Sequence, residues 1–430
     1  MTKSTRRLTV FPLMMATFFM VSGGPFGLEE LISDAGYQRA LLALFITPLI
    51  WSLPTALMVA ELSAAIPDEG GFYVWVRRAM GPFWGFQEAW LSLVASVFDM
   101  AIYPTLFVAY ASWFWPALTV GHRGFFLGAA VVTVGVIWNM FGSSAVGGGA
   151  EWLGLLLLSP FVVVIVVAFS HPAAHVASFG KGSDLLAGIM VVMWNYMGWD
   201  QSSTIAGEVD DPQRTYPRMI GGALALVITL YVACVLAAMR AGVPSEAWST
   251  GSWTSAAGHI AGHGAEIAVA VAGMICGLGM FNALALSYSR LPFAMAEDRM
   301  LPAAFRRLNG RGVPWVALLA LGLGWMLSLG LSFSRLVMLD IMLYGLSLVL
   351  EFAALIVLRL REPDLARPFR MPGNPWVLAL WAAGPTFLIA LSAVRNHHEK
   401  LGNVNALWIA GALIAAGLVA YIPIARYRKT

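Results

Sequence analysis

The sequence predicts an all-α membrane protein of about twelve transmembrane helices, and three observations carry that expectation. Hydrophobic residues make up 59% of the 430 positions and charged residues only 11%, where a soluble domain carries roughly 25% charged. Mean hydropathy is +0.75. Apolar windows of about 20 residues, the length that crosses a bilayer, recur along the whole chain. Lipid solvates the outside of such a bundle, so a single transmembrane domain over residues 1–430 is expected where a soluble chain would divide.

The spans are placed at 9–32, 40–64, 82–114, 124–142, 151–170, 185–207, 217–239, 264–289, 315–333, 336–358, 376–393 and 405–424. The start, with Lys3, Arg6 and Arg7 before an apolar stretch, looks superficially like a secretory leader. The stretch runs on through Gly23-Gly24-Pro25 to Ile32 and lacks a small-residue cleavage site, so it reads as a retained first helix.

Basic residues orient this map. With the N-terminus inside, Arg39, Arg123, Lys181, Arg240, Arg335, Arg395 and Lys400 fall outside, and the other 19 of the 26 Lys and Arg fall inside. Inner loops hold the excess of Lys and Arg, so both termini are expected to be cytoplasmic in a multi-pass protein of the cell membrane, the inner membrane in a bacterium. The pI of 8.9 then reflects topology, not a nucleic-acid partner. His122, His171, His175, His259, His263, His397 and His398 sit in or near outer connections and read as solvated. Cys234 and Cys276 lie within apolar runs and suggest neither a disulfide nor a metal site. No cofactor or metal is expected.

Two spans carry interruptions. The first contains Ser22-Gly23-Gly24-Pro25-Phe26-Gly27, where glycines and a proline remove helix propensity and a hydrogen-bond donor. Five spans later stands Trp194-Asn195-Tyr196-Met197-Gly198-Trp199-Asp200-Gln201-Ser202-Ser203, polar around a central glycine. Freed backbone groups cannot face hydrocarbon, so each break must line protein or a polar cavity. A helix kink and satisfied polar packing explain either alone. Breaks at corresponding places in two five-helix halves, 9–170 and 185–358, followed by two further helices at 376–424, fit an inverted-repeat transporter whose broken helices hold the substrate.

Ionisable residues deep in a span cost at least a few kcal/mol and need a partner, a proton or a function. Asp200, Asp99, Glu351 and Glu30 are the proton-coupling candidates. Glu29 and Glu30 are neighbours about 100° apart around a helix, so at most one faces a cavity squarely. Glu61, Asp68, Glu69, Glu208, Asp210 and Asp211 read as loop and gate electrostatics. Trp194, Tyr196 and Trp199 flank the second break, where a ring can close over a substrate or stack on an amine.

Two further stretches carry a family resemblance. Glu61-Leu62-Ser63 with Pro67, Gly70, Gly71, Tyr73, Ala79, Gly81, Pro82, Gly85 and Phe86, and Ser289-Arg290-Leu291-Pro292-Phe293-Ala294-Met295-Ala296-Glu297-Asp298 with Leu301-Pro302 and Val313-Pro314, resemble signatures of the amino acid, polyamine and organocation (APC) transporter superfamily. The first break through Glu29-Glu30, with Trp199-Asp200 and Ser203-Thr204-Ile205-Ala206-Gly207-Glu208-Val209, resembles its polyamine and neutral amino acid transporters of plants and protozoa. The resemblance implies two inverted five-helix repeats with discontinuous helices one and six, two extra C-terminal helices, alternating access and proton-coupled uptake. Residues 151–170 lack the lysine that mimics a bound sodium ion in some relatives.

The expected function is import of an amine-bearing solute, an amino acid or a polyamine, coupled to protons. Substrate contacts are expected from Ser22, Gly23, Gly24, Pro25, Phe26, Gly27, Trp194, Tyr196, Gly198, Trp199, Asp200 and Ser203. The amine would meet Asp200 and free carbonyls, Gly23 and Gly24 amides would take any carboxylate, and Phe26, Trp194 and Tyr196 would gate. The rivals are an amino acid exchanger, a channel, a transporter-like receptor and an intramembrane enzyme; the last lacks a nucleophile and base at helical spacing.

Overall fold

The computed structural model describes residues 8–173, 184–401 and 403–427. Lys3, Arg6, Arg7, His175, Lys181, Arg428 and Lys429 lie outside the described residues. Helix α1 (Val10–Val21) stops at the first break, and α2 (Leu28–Thr47) resumes beyond it. Gly36, at φ 69°, turns the chain within α2, so the short loop expected near residues 33–39 is reduced to one kink. A π-helical turn at Pro48–Ser52 leads into α3 (Leu53–Ala65), followed by the amphipathic α4 (Phe72–Met80) and the long α5 (Pro82–Ala111). Next come a single turn, α6 (Pro116–Thr119), then α7 (His122–Asn139), α8 (Ser143–Ser170) and α9 (Leu185–Asn195).

After α9 the chain does not continue as an α-helix but enters a 3-10 segment, Trp199–Glu208. It goes on through α10 (Pro212–Arg240), α11 (Trp253–Ala261), α12 (His263–Glu297), α13 (Trp315–Trp325), α14 (Phe333–Arg361), α15 (Pro375–Arg395) and α16 (Ala406–Tyr427). The two short strands, Lys400–Leu401 and Val404–Asn405, pair between α15 and α16.

Eight helical stretches among the described residues are long and apolar enough to cross a membrane, and Val10–Val21 and Trp315–Ser328 are shorter apolar helices. Broken helices divide their apolar length, which is why α1 and α9 fall short singly. Helix α12 runs eight residues past the expected end at 289. Arg290 reads as a boundary in a hydropathy profile, yet it is buried inside the bundle and pairs with Glu69 at 3.5 Å.

The outer helices keep apolar side chains on their outward faces: Leu327 is 81% exposed, Trp376 84% and Trp408 76%. Water would penalise that surface and lipid does not, so the bundle is apolar outside as well as in its core. Helix α5 is central, packed along α12 on one side and α14 on the other, while α2 packs on α9. This arrangement sets the first break against Tyr110 in the last turn of α5 and Phe333 at the start of α14, and the second against Tyr344 within α14.

Candidate substrate cavity

The first break is made by backbone. Gly23, Gly24 and Gly27 have φ of 57°, 110° and 94°, in the region that side chains disfavour. The helix ends with the N–H groups of Ser22 and Gly23 both on the Phe18 carbonyl, and the Gly24 N–H donates to Ser22 Oγ at 3.1 Å. Glu29 closes the gap from the far side, its Oε2 accepting the Gly27 N–H at 2.5 Å. Its Oε1 accepts from Tyr110 Oη and from the Gly251 N–H. Trp253 Nε1 donates to the Pro25 carbonyl at 2.8 Å. Glu29 is therefore the buried acid of the pair, whereas Glu30 is half-buried and accepts from the Thr250 hydroxyl and N–H.

The second break turns at Gly198, φ 91°, where an added Cβ would sit 2.7 Å from the Met20 carbonyl oxygen at the end of α1. The two interruptions thus approach one another backbone to backbone. Tyr231 Oη satisfies the Asn195 carbonyl at 3.0 Å, and Trp199 Nε1 and Ser52 Oγ both reach the Tyr196 carbonyl. Tyr344 from α14 holds the turn from below: its Oη accepts the Gly198 N–H at 3.3 Å and donates to Asp200 Oδ1. Gln201 Nε2 donates to the other Asp200 oxygen.

Between the breaks lies a cavity walled by Met20 and Val21 of α1, Asp99 and Tyr103 of α5, Trp194, Met197, Gly198 and Gln201, Leu284 and Tyr288 of α12, and Tyr344. The space open to the centre of a water-sized sphere is about 10 Å³, room for about one water. Every wall side chain is buried, so the cavity is closed to both faces of the bundle. Asp99 accepts from Tyr103 Oη at 2.6 Å and Tyr288 Oη at 3.2 Å. Among the described residues no ion pair reaches Asp99, Asp200, Asp340, Glu351 or Glu88, although all five are buried.

Of the residues expected at the site, Trp194, Gly198 and Asp99 stand on the cavity wall, and Asp200 sits one hydrogen bond behind it through Tyr344 and Gln201. Phe26 packs edge-on between Tyr110 and Phe161, and Tyr196 against Tyr231. Ser22, Gly23, Gly24, Pro25 and Gly27 form the break but do not border the present cavity; the Gly23 and Gly24 amides are occupied within the break itself. Trp199 is fully buried behind the turn, and Ser203 Oγ is buried without a hydrogen-bond partner. Gln201, part of the polar second break in the sequence, also stands on the wall, whereas the sequence does not single out Tyr103, Tyr288 and Tyr344, because nothing local shows which way a tyrosine in a membrane helix points.

Two clasps close one end of the bundle. Arg77 and Tyr73 of α4 both engage Asp298 after α12. Glu61 of α3, fully buried, is held by Arg359 and Arg367 and also accepts the Met371 N–H at 2.7 Å. Exposed Arg78 pairs with Glu362, holding that carboxyl below its usual range.

An apolar helical bundle, interrupted twice around a closed polar cavity, is the architecture of a membrane transporter rather than an enzyme. The chain belongs to the amino acid permease family, whose model matches residues 14–419. It is 34% identical to a probable polyamine transporter of Arabidopsis thaliana over 97% of this chain and 87% of that one. A polyamine transporter of Oryza sativa subsp. japonica is 35% identical over 94% of this chain and 77% of its own length. A serine/threonine exchanger of Bacillus subtilis is 24% identical over 81% of each.

Proposed function

We propose that the protein imports a cationic amine-bearing solute by alternating access, coupled to protons. The observation that carries the reading is the set of buried acids around and behind the cavity, Asp99, Asp200 and Asp340, none of which has an ion-pair partner among the described residues. Buried carboxylates of this kind call for a cation or a proton. An ammonium entering between Asp99 and Asp200 would supply one and would be ringed by Tyr103, Tyr288 and Trp194, whose faces favour cations. The names of the plant relatives agree with such a substrate.

In this reading the twelve helical passes form two inverted five-helix repeats plus α15 and α16, with both termini cytoplasmic. The structure then represents an occluded state, and the Arg77–Asp298 clasp is the inner gate. Substrate enters when the contacts of Trp253 and Gly251 to the first break part, and leaves when the clasp opens.

Purified protein in liposomes tests this. A panel of amino acids and polyamines should contain ligands that raise its apparent stability, since only the folded state binds them. An imposed proton gradient should drive their accumulation. Asp200→Asn should abolish that accumulation; unchanged accumulation removes Asp200 from the mechanism, and steady ionic current without saturation would indicate a channel instead.

A further inference from the structure

Helices α5 and α14 each carry one polar stripe. On α5 it runs Glu88, Ser92, Ser96, Asp99, Tyr103, and on α14 Asp340, Tyr344, Ser347, Glu351, spacings of three and four that keep each set on one helix face. The stripes oppose each other head to tail. Asp340 lies in electrostatic reach of Asp99 and Asp200 at the cavity, and Glu351 in reach of Glu88 and Asp200, 11 residues further along α14. The cavity wall includes neither Glu88 nor Glu351. Both are fully buried; both oxygens of Glu351 and Oε2 of Glu88 have no hydrogen-bond partner, and only Ser92 Oγ donates to Glu88 Oε1, at 2.9 Å.

Two buried carboxyls with three of their four oxygens unpartnered cannot both be ionised without water or a cation. We propose that Glu88 and Glu351, buried acids with unpartnered oxygens on the packed helices α5 and α14, carry the coupling proton, separate from the cavity that takes the amine. This rests on the reading above as a proton-coupled importer. It also resolves a difficulty in that reading: a proton and an ammonium competing for Asp200 would exchange in opposite directions, whereas co-transport requires that each has its own acid. Asp200 and Tyr344 lie between the cavity and the pair and link them by hydrogen bond and field. The pair takes one proton from the cavity while it is open outward and gives it to water once the inner gate opens; an O–H bond forms and breaks, and nothing else.

The other charged groups around the pair leave it this role. On the same two helices Asp99 and Asp340 add negative charge, Tyr103 and Tyr344 are hydroxyl donors, and the cations Arg335 and Arg361 stand at the two ends of α14, the latter on the Ala79 carbonyl. From α12 come Tyr288 and Arg290, the latter paired with Glu69. Arg77 and Arg78 of α4 are committed to Asp298 and Glu362, and Arg359 is committed to Glu61 of α3. Helix α16 brings Tyr421 to the α5 side through Phe83 and Phe86. His122 and Arg123 of α7, and Arg395 of α15, lie at the opposite end of the bundle.

Glu88→Gln and Glu351→Gln, each alone, in proteoliposomes provide the test. Both variants should lose proton-driven accumulation at least tenfold while keeping ligand-induced thermal stabilisation and tracer counterflow at equal pH. Infrared difference spectra on ligand addition should show a protonated-carboxyl band in the wild type that either substitution diminishes. Wild-type accumulation in both variants overturns the proton site and leaves the importer reading standing. Absence of gradient-driven accumulation in the wild type overturns both. If one variant does not fold, the other and the wild-type band still decide, since absence of any such band refutes the site.

Discussion

Tyr344 joins the two halves of the second break: one phenol oxygen accepts the Gly198 N–H and donates to Asp200, 144 positions away in sequence. It is the contact through which α14 fixes both the αL turn and the acid just beyond it.

Tyr344→Phe removes that donor and leaves the volume of the ring. A hydrogen bond to a charged group contributes about 1.5–3 kcal/mol, so ligand affinity should fall roughly tenfold or more. Fold stability should change far less, because the helices still pack through the ring. The measurement is ligand titration by thermal shift; unaltered affinity would mean that Asp200 takes its position without Tyr344.

Two ion pairs near one end of the bundle make a contrast in magnitude. Glu61 is buried and is held by Arg359 and Arg367, so Glu61→Ala leaves two cations without their acid and should cost about 3–5 kcal/mol. Arg78–Glu362 is half-exposed on both sides, and Arg78→Ala should cost less than about 1 kcal/mol after solvent screening. Apparent melting temperature in detergent checks both. A paired Glu61→Leu, Arg359→Met replacement should lose less than the sum of its single changes.

Much of the fold was legible because its signals are local. Apolar length marks the spans, and Gly23, Gly24 and Gly198 mark where helices cannot continue; the structure breaks at those residues. Depth along the chain also singled out Asp99, Asp200 and Glu351, all of them buried. What hydropathy does not encode is direction around a helix. Glu29 and Glu30 are equivalent in a profile, yet the hydroxyl of Tyr110 and the N–H of Gly27 both point to Glu29. Glu88, Asp340 and Arg359 fall near the ends of the expected spans and so read as boundary residues, although all three are buried in the bundle. Arg359 meets Glu61 298 positions away on α3, and the burial of Glu88 and Asp340 becomes visible only once α5 and α14 are assembled.

The start of α9 gives a pH-dependent prediction that reaches the cavity through Trp194. Asp184 caps this helix by accepting the Ala187 N–H at 3.0 Å and also meets Arg395. The Ala187 N–H, then Arg395, hold its carboxyl below the usual range. A carboxyl whose folded-state value is depressed stabilises fully above its unfolded value of about 3.9 and loses that contribution as pH falls through the folded value. The stability gap between wild type and Asp184→Ala should therefore hold steady from pH 7 to about 5 and shrink below about 4. Loss of the cap accounts for about 1 kcal/mol, and the half-exposed pair with Arg395 for less than that after screening. Asp184→Asn caps nearly as well, so it should lose only the salt-sensitive part. Thermal unfolding across pH and ionic strength separates the two contributions. A gap undiminished at the lowest pH would mean that Asp184 acts through packing rather than charge.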